Sequence, residues 1–362
     1  MKLGETEVAV VGAGPAGAAA AVAAARAGDR VTVVDEYPSP GGQIYRQQAA
    51  AAPGASQPSQ PPVFQALRQS SAEVLTNTLV WGTEDEQTLL LYREGAGTQQ
   101  LRAQSIVLAT GAYDRPVAFP GWTLPGVWTA GGIQAMLKGQ AVLPGRRVLL
   151  AGAGPFLMPV AQALSEAGAT VVAVAEATTR RAWARELPRF LGHWARLREA
   201  VAYQRALASA RIPYYFGHLL VRVEGQAAVE RATIVAVDRD WRPKPATQRT
   251  FAVDLVGLGY GFLASTELVR LLGCELRHDP VQAQLLPWCS PEQETSQPGI
   301  FVAGETTGIG GAELALVEGQ IAGLSAARRL GRGFGAERWR ELASALARRS
   351  PPSDAEPSPP AP

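Results

Sequence analysis

The chain has 362 residues, 47% of them hydrophobic and 18% charged, with 34 basic and 32 acidic side chains. That apolar share fills the cores of one large or two ordinary domains, and a net charge of +2 gives no footing for a nucleic-acid binder. Two cysteines, Cys274 and Cys289, exclude a disulfide framework, a four-cysteine zinc site and a cysteine-ligated iron–sulfur cluster, and fit a reducing, cytoplasmic compartment.

The first predicted element is a βαβ unit, VAVVGAGPAGAAAAVAAARAGDRVTVVDE at 8–36. Its stretch Val8–Ala25 runs 18 residues without a charge, long enough to mimic a membrane helix. The interrupting Gly12, Gly14, Pro15 and Gly17, the weakly apolar alanines and the preceding Glu5 and Glu7 instead predict a soluble chain without signal peptide or membrane span. The strand Val8–Val11 leads directly into Gly12, Gly14, Pro15, Ala16 and Gly17, which have the GxGxxG spacing of a dinucleotide turn. The first glycine permits the turn, the second lets backbone approach a pyrophosphate, and the third lets helix and strand close. The pyrophosphate then sits on a helix N-terminus, where free amides and the dipole favour negative charge. Asp35 and Glu36, after the strand Val31–Val34, are candidate acceptors for a ribose diol.

Pro40–Gln43 (Pro-Gly-Gly-Gln) follows, and residues 49–62 read as an exposed low-complexity loop. The strand Ser105–Leu108 runs into Ala109, Thr110, Gly111 and Ala112. A second βαβ unit, VLLAGAGPFLMPVAQALSEAGATVVAVAE at 148–176, repeats the layout of the first about 140 residues later. Two such units predict an α/β fold with two Rossmann-like domains. In the second, Gly152 and Gly154 are kept and Leu157 replaces the third glycine. Glu176 at the strand end favours a 2′-hydroxyl, hence NAD, while Arg180 and Arg181 keep a 2′-phosphate open. The alternatives for that domain are NAD(H), another adenine nucleotide, or no ligand.

Residues 180–211 are Arg-rich, with Trp183 and Trp194 at helical spacing, which suits either a solvated face or a partner-binding surface. His193, His218 and His278 lack metal-ligand spacing, so no metal site is expected. Near the end, FVAGE (Phe301–Glu305) closes a strand, and Gly310, Gly311 and Ala312 precede a helical run. Residues 350–362, with six prolines, read as a disordered tail.

Pro40–Gln43, Ala109–Ala112 and Phe301–Glu305, taken together, resemble the two-dinucleotide-binding-domain flavoproteins, the superfamily of glutathione and thioredoxin reductases. Three longer stretches are more specific: DEYPSPGGQIYRQ (35–47), VLATGAYDRPVAFPGWTLPGVWTAGGIQAMLKGQAVLPGRRVLLAGAGP (107–155) and GIFVAGETTGIGGAELALVEGQIAG (299–323). With Tyr113–Pro116 (Tyr-Asp-Arg-Pro), they resemble the flavoprotein subunits of opine oxidases, of hydrogen cyanide synthase and of the hetero-oligomeric dehydrogenases of D-hydroxyproline and L-proline.

The resemblance implies one dinucleotide domain inserted in the other. The FAD domain is expected at 1–118 and 285–330, the second nucleotide domain at 119–284, and a C-terminal helix and tail at 331–362. It implies FAD held by the first glycine set, Asp35, Glu36, Gly42, Gln43, Val80, Ala109, Thr110, Gly111, Gly304, Glu305, Gly311 and Ala312. Glu305 stands where the superfamily usually has Asp, on the ribityl side. The second nucleotide falls to Gly152, Gly154 and Glu176.

The redox cysteine pair of the disulfide reductases is missing, so disulfide reduction is not the expected activity. The expected function is instead the FAD-dependent subunit of a hetero-oligomeric amino- or imino-acid dehydrogenase of opine, proline, hydroxyproline or glycine type. Its partners would be a second flavoprotein, the oxidase subunit, and, since no cysteine follows Cys289, a small iron–sulfur subunit. The alternatives are a stand-alone NAD(P)H-dependent reductase of a ferredoxin-like carrier and a flavin-free scaffold. No catalytic side chain is assigned, because a flavin carries its own chemistry.

Overall fold

The computed structural model describes residues 3–46, 61–182, 202–203, 205, 207–238, 241–333, 341–342, 344 and 346. Most of the low-complexity stretch, Trp183, His193, Trp194 and the proline-rich tail lie outside these. The chain divides into two compact units, Met1–Ala112 with Leu263–Pro362, and Tyr113–Phe262. Among the described residues no helix is long and apolar enough to cross a membrane.

In the first unit the parallel strands follow the order Glu73–Leu75, Val31–Val34, Leu3–Val11, Gly97–Leu108 and Ile300–Val302. The lower half of Gly97–Leu108 also starts an antiparallel meander with Thr88–Arg93 and Thr78–Thr83. Helices cover parallel strands, so both faces are buried and the strands read as unbroken apolar runs. Val8 and Val10 therefore pack into one core with Phe64, Leu67 and Phe301, while Ala9 and Val11 enter the opposite core with Leu89, Ile106 and Leu108.

Pro15 pre-sets the first turn of the helix Pro15–Ala27, and Gly28, at φ 99°, ends it in the left-handed region. The alanines of this helix have a structural reason. They face the long helix Ala312–Arg329, whose Gly319 and Gly323 touch the main chain of Ala16 and Ala20. A Cβ at either glycine would lie 2.1 or 2.2 Å from those carbonyl oxygens.

Two expectations are corrected here. The low-complexity loop ends before Pro62, which opens the helix Pro62–Gln69 and buries Phe64 and Leu67. The second unit begins at Tyr113 rather than 119, and the return to the first unit comes at Leu263 rather than 285. The short helix Glu267–Leu271 brings Leu268 and Val269 into the core under the first sheet, joined by Leu272 and Cys274, and this burial draws residues 263–284 to the first unit.

The second unit holds five parallel strands in the order Tyr214–Phe216, Thr170–Glu176, Arg147–Gly152, Leu255–Gly259 and Val127–Thr129. A separate antiparallel sheet is formed by His218–Glu224, Arg231–Ala236 and Arg249–Ala252. The register of Thr170–Glu176 slips between Val171 and Ala173, a bulge that adds one residue before the strand's end. Leu157 is fully buried beside Gly259, where a Cβ would come within 2.8 Å of the leucine. Here the helix starts at Leu157, whereas in the first unit it starts at Pro15, the counterpart of Pro155.

Candidate functional site

At the carboxyl ends of the first unit's parallel strands lies a cleft of about 320 Å³, within the range of ligand pockets, ~300–1,000 Å³. Gly12, Gly14, Pro15 and Ala16 form its floor. Gly12 adopts φ 97°, and a Cβ there would lie 2.3 Å from the Ala109 carbonyl oxygen. Gly14 is the contrasting position: a Cβ would meet nothing nearer than Gly42 Cα at 3.7 Å, so its open side faces the cleft. Gly17 is no part of the lining. It sits under the turn, where a Cβ would lie 1.8 Å from the Gly12 carbonyl oxygen.

The two adjacent acids have separate roles. Asp35 is buried, and its carboxylate accepts the Ala13 and Tyr37 amides, the latter at 2.8 Å. Burial raises its pKa, against the pull of those two hydrogen bonds. Its acceptors thus lock the glycine turn, while Glu36 beside it is exposed and lines the cleft. Gly42, Gln43 and Val80 line the same end. Gln43 donates to Tyr37 Oη at 3.0 Å and accepts from Arg46 at 2.7 Å, while the Arg46 guanidinium lies 4.1 Å above the Tyr37 ring.

At the other end, Ala109, Thr110, Gly111 and Ala312 line the cleft together with Glu305. Gly304 and Gly311 carry it from behind: both have positive φ, Gly304 pressed against Ala16 and Gly311 capping the long helix. Thr306, fully buried, accepts the Gly111 amide at 3.0 Å and lies 3.2 Å from Thr110 Oγ1. The Glu305 carboxylate has no hydrogen-bond partner among the described residues, and burial raises its pKa. A half-buried carboxylate facing a cleft with its acceptors free is what a hydroxylated chain needs as partner.

Sequence reasoning passed over Thr306, Tyr37 and Glu318. Glu318, 7% exposed on the long helix, accepts the Gly304 amide at 2.8 Å. A lone acid on the small-residue face of a helix was the available signal.

In the second unit the reading of Glu176 is corrected. It is fully buried, and its carboxylate accepts the amides of Gly154, at 3.1 Å, and Thr178, at 2.9 Å, and the Tyr214 hydroxyl at 3.3 Å. It therefore does what Asp35 does in the first unit. The bulge shifts the strand by one residue, so Ala177 occupies the place of Glu36, and the described strand end presents no free carboxylate there. Gly152 is closed off by the Gly259 carbonyl, 2.1 Å from where a Cβ would stand, while Gly154 is open. The helix start at Leu157 sets its amides back from that turn.

A glycine turn opening a helix, a free acid beyond the second strand and a second unit of the same plan define a protein with two dinucleotide-binding folds. The sequence matches the family described as pyridine nucleotide-disulphide oxidoreductase over residues 6–331, and the chain belongs to it. It is 35% identical to an opine oxidase subunit of Agrobacterium tumefaciens (strain Ach5), over 88% of this chain and 64% of that protein. It is 34% identical to the HcnB subunit of hydrogen cyanide synthase of Pseudomonas aeruginosa, over 87% of this chain and 69% of that one. In structure it is similar to L-proline dehydrogenase from P. horikoshii, with a TM-score of 0.67 at 21% identity over 99% of this chain and 62% of that chain. The chain thus spans somewhat under two thirds of some of these relatives. Its relatives are oxidoreductases, and family membership implies FAD, with a nicotinamide nucleotide as the second ligand this fold accommodates. The free Glu305 carboxylate and the open Gly14 fit FAD in the first unit.

Proposed function

We propose that the chain is the FAD-binding subunit of a hetero-oligomeric, cytoplasmic amino- or imino-acid dehydrogenase that passes electrons to an acceptor. The observation that carries this is the first unit's cleft, with free acceptors at both ends and a glycine turn with a helix N-terminus between them. Its assigned parts follow from chemistry. The amides after Gly14 take the pyrophosphate, Glu36 the adenosine ribose and Glu305 the ribityl hydroxyls. FAD, when bound, supplies hydride and electron transfer; the protein places it and excludes water from it. The amides opening the long helix at Gly311–Ala312 favour negative charge on the ring's pyrimidine edge. A second flavoprotein subunit would hold the substrate, of the opine or proline kind that the relatives' names suggest, and a small iron–sulfur subunit would take the electrons. The relatives' names, which describe them as subunits, support the presence of further subunits.

Against a stand-alone NAD(P)H reductase stands the second unit, whose acid is spent on its own turn and whose helix starts late. Anaerobic mixing with NADH separates the two readings: slow or absent bleaching of the flavin is expected, and rapid bleaching would establish the reductase. Robust oxidation of an amino acid by the isolated chain would refute the subunit reading.

Glu305 gives a graded test. Replacing it by Ala should cost FAD binding about 1–3 kcal/mol, the loss of acceptors for buried hydroxyls. Replacing it by Gln, which keeps one acceptor, should cost less. Titration of the apo-protein with FAD measures both, and equal affinities for wild type and Glu305→Ala would remove Glu305 from the site.

A further inference from the structure

Three chain segments of the first unit meet at the Glu305 end of the cleft: the turn at Thr110–Gly111, the turn Gly304–Thr306, and the segment at Ser265. Their hydrogens can be followed one by one. Thr110 Oγ1 donates to the Ser265 carbonyl at 2.8 Å, and a carbonyl oxygen only accepts. The one hydrogen of Thr110 is thereby used, so in its 3.2 Å contact with Thr306 Oγ1 the donor is Thr306. Thr306 Oγ1 in turn accepts the Gly111 amide at 3.0 Å, and the Gly111 carbonyl accepts the Ser265 amide at 2.9 Å. The four contacts close on themselves, and every hydrogen in them has an acceptor.

This closed set grips Ser265 by its main chain, at amide and carbonyl, and leaves the side chain out. Ser265 is partly buried and lines the cleft, and among the described residues its hydroxyl has no partner. Beside it, Gly111 has nothing within 4 Å of where a Cβ would stand, so space lies open there. The Gly111 amide is spent on Thr306, and the donor left next to that space is the Ser265 hydroxyl.

We propose that Ser265 contacts the ligand at this end of the cleft, and that Thr306 is the positioning residue that aims it, through Thr110 and Gly111. The inference rests on the FAD reading, in which this end takes the ribityl chain and the ring. A hydroxyl both donates and accepts, so it can meet the nitrogen and carbonyl edge of the ring in either oxidation state. Thr306, fully buried, also belongs to the turn that carries Glu305, so one hydroxyl sets both side-chain groups that face the ligand here. Filling space does not require a threonine, since valine has the same shape. Valine cannot take the Gly111 amide or donate to Thr110, and each of those groups would then be left unpaired.

Calorimetric titrations of the apo-protein with FAD and with ADP test this. ADP carries the adenosine and pyrophosphate but nothing that reaches Ser265. Ser265→Ala leaves the closed set intact, because only the main chain of this residue takes part in it. Its apo-protein should melt as the wild type does, FAD affinity should fall about threefold to tenfold, the range for one lost hydrogen bond, and the visible band of the bound flavin should shift. ADP should bind both proteins alike. Thr306→Val should lose about tenfold or more for FAD, with ADP again unchanged, and Thr306→Ser, which keeps the hydroxyl, should stay within about twofold of wild type. Wild-type affinity and spectrum in Ser265→Ala would overturn the contact. Equal losses for FAD and ADP in Thr306→Val would show a general loosening and overturn the positioning role.

Hydrogen exchange of the apo-protein tests the premise without flavin. The Gly111 amide should be protected in wild type and in Thr306→Ser, and should exchange faster in Thr306→Val. A Gly111 amide unprotected in the wild type overturns the proposal whatever FAD does. Should Thr306→Val not fold, that wild-type protection and the Ser265→Ala titration still decide. A wild type that protects Gly111 and yet binds no FAD would instead overturn the FAD reading.

Discussion

The Gly14→Val chain should fold and yet emerge without flavin. Gly14 has φ −71°, open to any residue, and a Cβ there meets only Gly42 at an ordinary contact distance of 3.7 Å. The branched side chain therefore finds room on the protein's side, at the modest cost of a poor helix cap, about 1 kcal/mol. Its methyl groups, however, project into the cleft where backbone and pyrophosphate must meet. FAD affinity should fall by at least about two orders of magnitude, about 2.7 kcal/mol or more. Circular dichroism should show the wild-type fold, with a melting temperature within a few degrees of the wild-type apo-protein, the flavin's own stabilisation being absent from both. Yellow protein at wild-type stoichiometry would disprove the assignment of this cleft.

Gly17→Ala should do the opposite and destroy the fold before any question of ligand arises. Its Cβ would stand 1.8 Å from the Gly12 carbonyl oxygen and 2.9 Å from the carbonyl carbon. Main chain cannot rotate aside as a side chain can. Either the helix Pro15–Ala27 lifts off the strand Leu3–Val11 or the turn at Gly12 opens. Both disturb the core built from Val8, Val10 and Ala21, so we expect a loss of at least ~3 kcal/mol, seen as a fall in the denaturation midpoint. A midpoint unchanged within error would show that the turn has slack the geometry denies. The two mutants together separate the glycine that serves the ligand from the one that serves the chain.

The large-scale plan was legible because it rests on periodicity. Apolar runs, glycine turns and alanine-rich helices recur in both units, and each feature has a local cause. The division of labour between Asp35 and Glu36 was not legible, since neighbouring residues at a strand end diverge in direction and only the fold decides which one faces the cleft. Glu176 misled for a related reason. The slip between Val171 and Ala173 adds one residue without any mark in the sequence, so counting from the glycines places the acid one position too far along. Glu318 was hidden because its partners, Gly304 and Thr307, approach it across a turn rather than along a helix. Residues 263–284 carry no glycine or proline punctuation strong enough to mark where the chain returns, and burial of Leu268 and Val269 settles it.

The contact of Gly319 and Gly323 with Ala16 and Ala20 has a consequence beyond stability. The two helices so joined both begin at the cleft, one behind the glycine turn and the other behind Gly311. At these two points main chain rests on main chain, and around them alanines fill the seam, so little can compress or swing and the two anchoring points keep a set spacing. The pair works as a gauge: a molecule whose phosphates and ring end are separated by that span seats at both ends at once, with little ordering left to spend on binding. A shorter nucleotide can satisfy only one end. On the proposed FAD reading, the spacing of the two helix starts would set the length of molecule that seats at both, and enlarging either glycine would alter that spacing as well as how stably the helices pack.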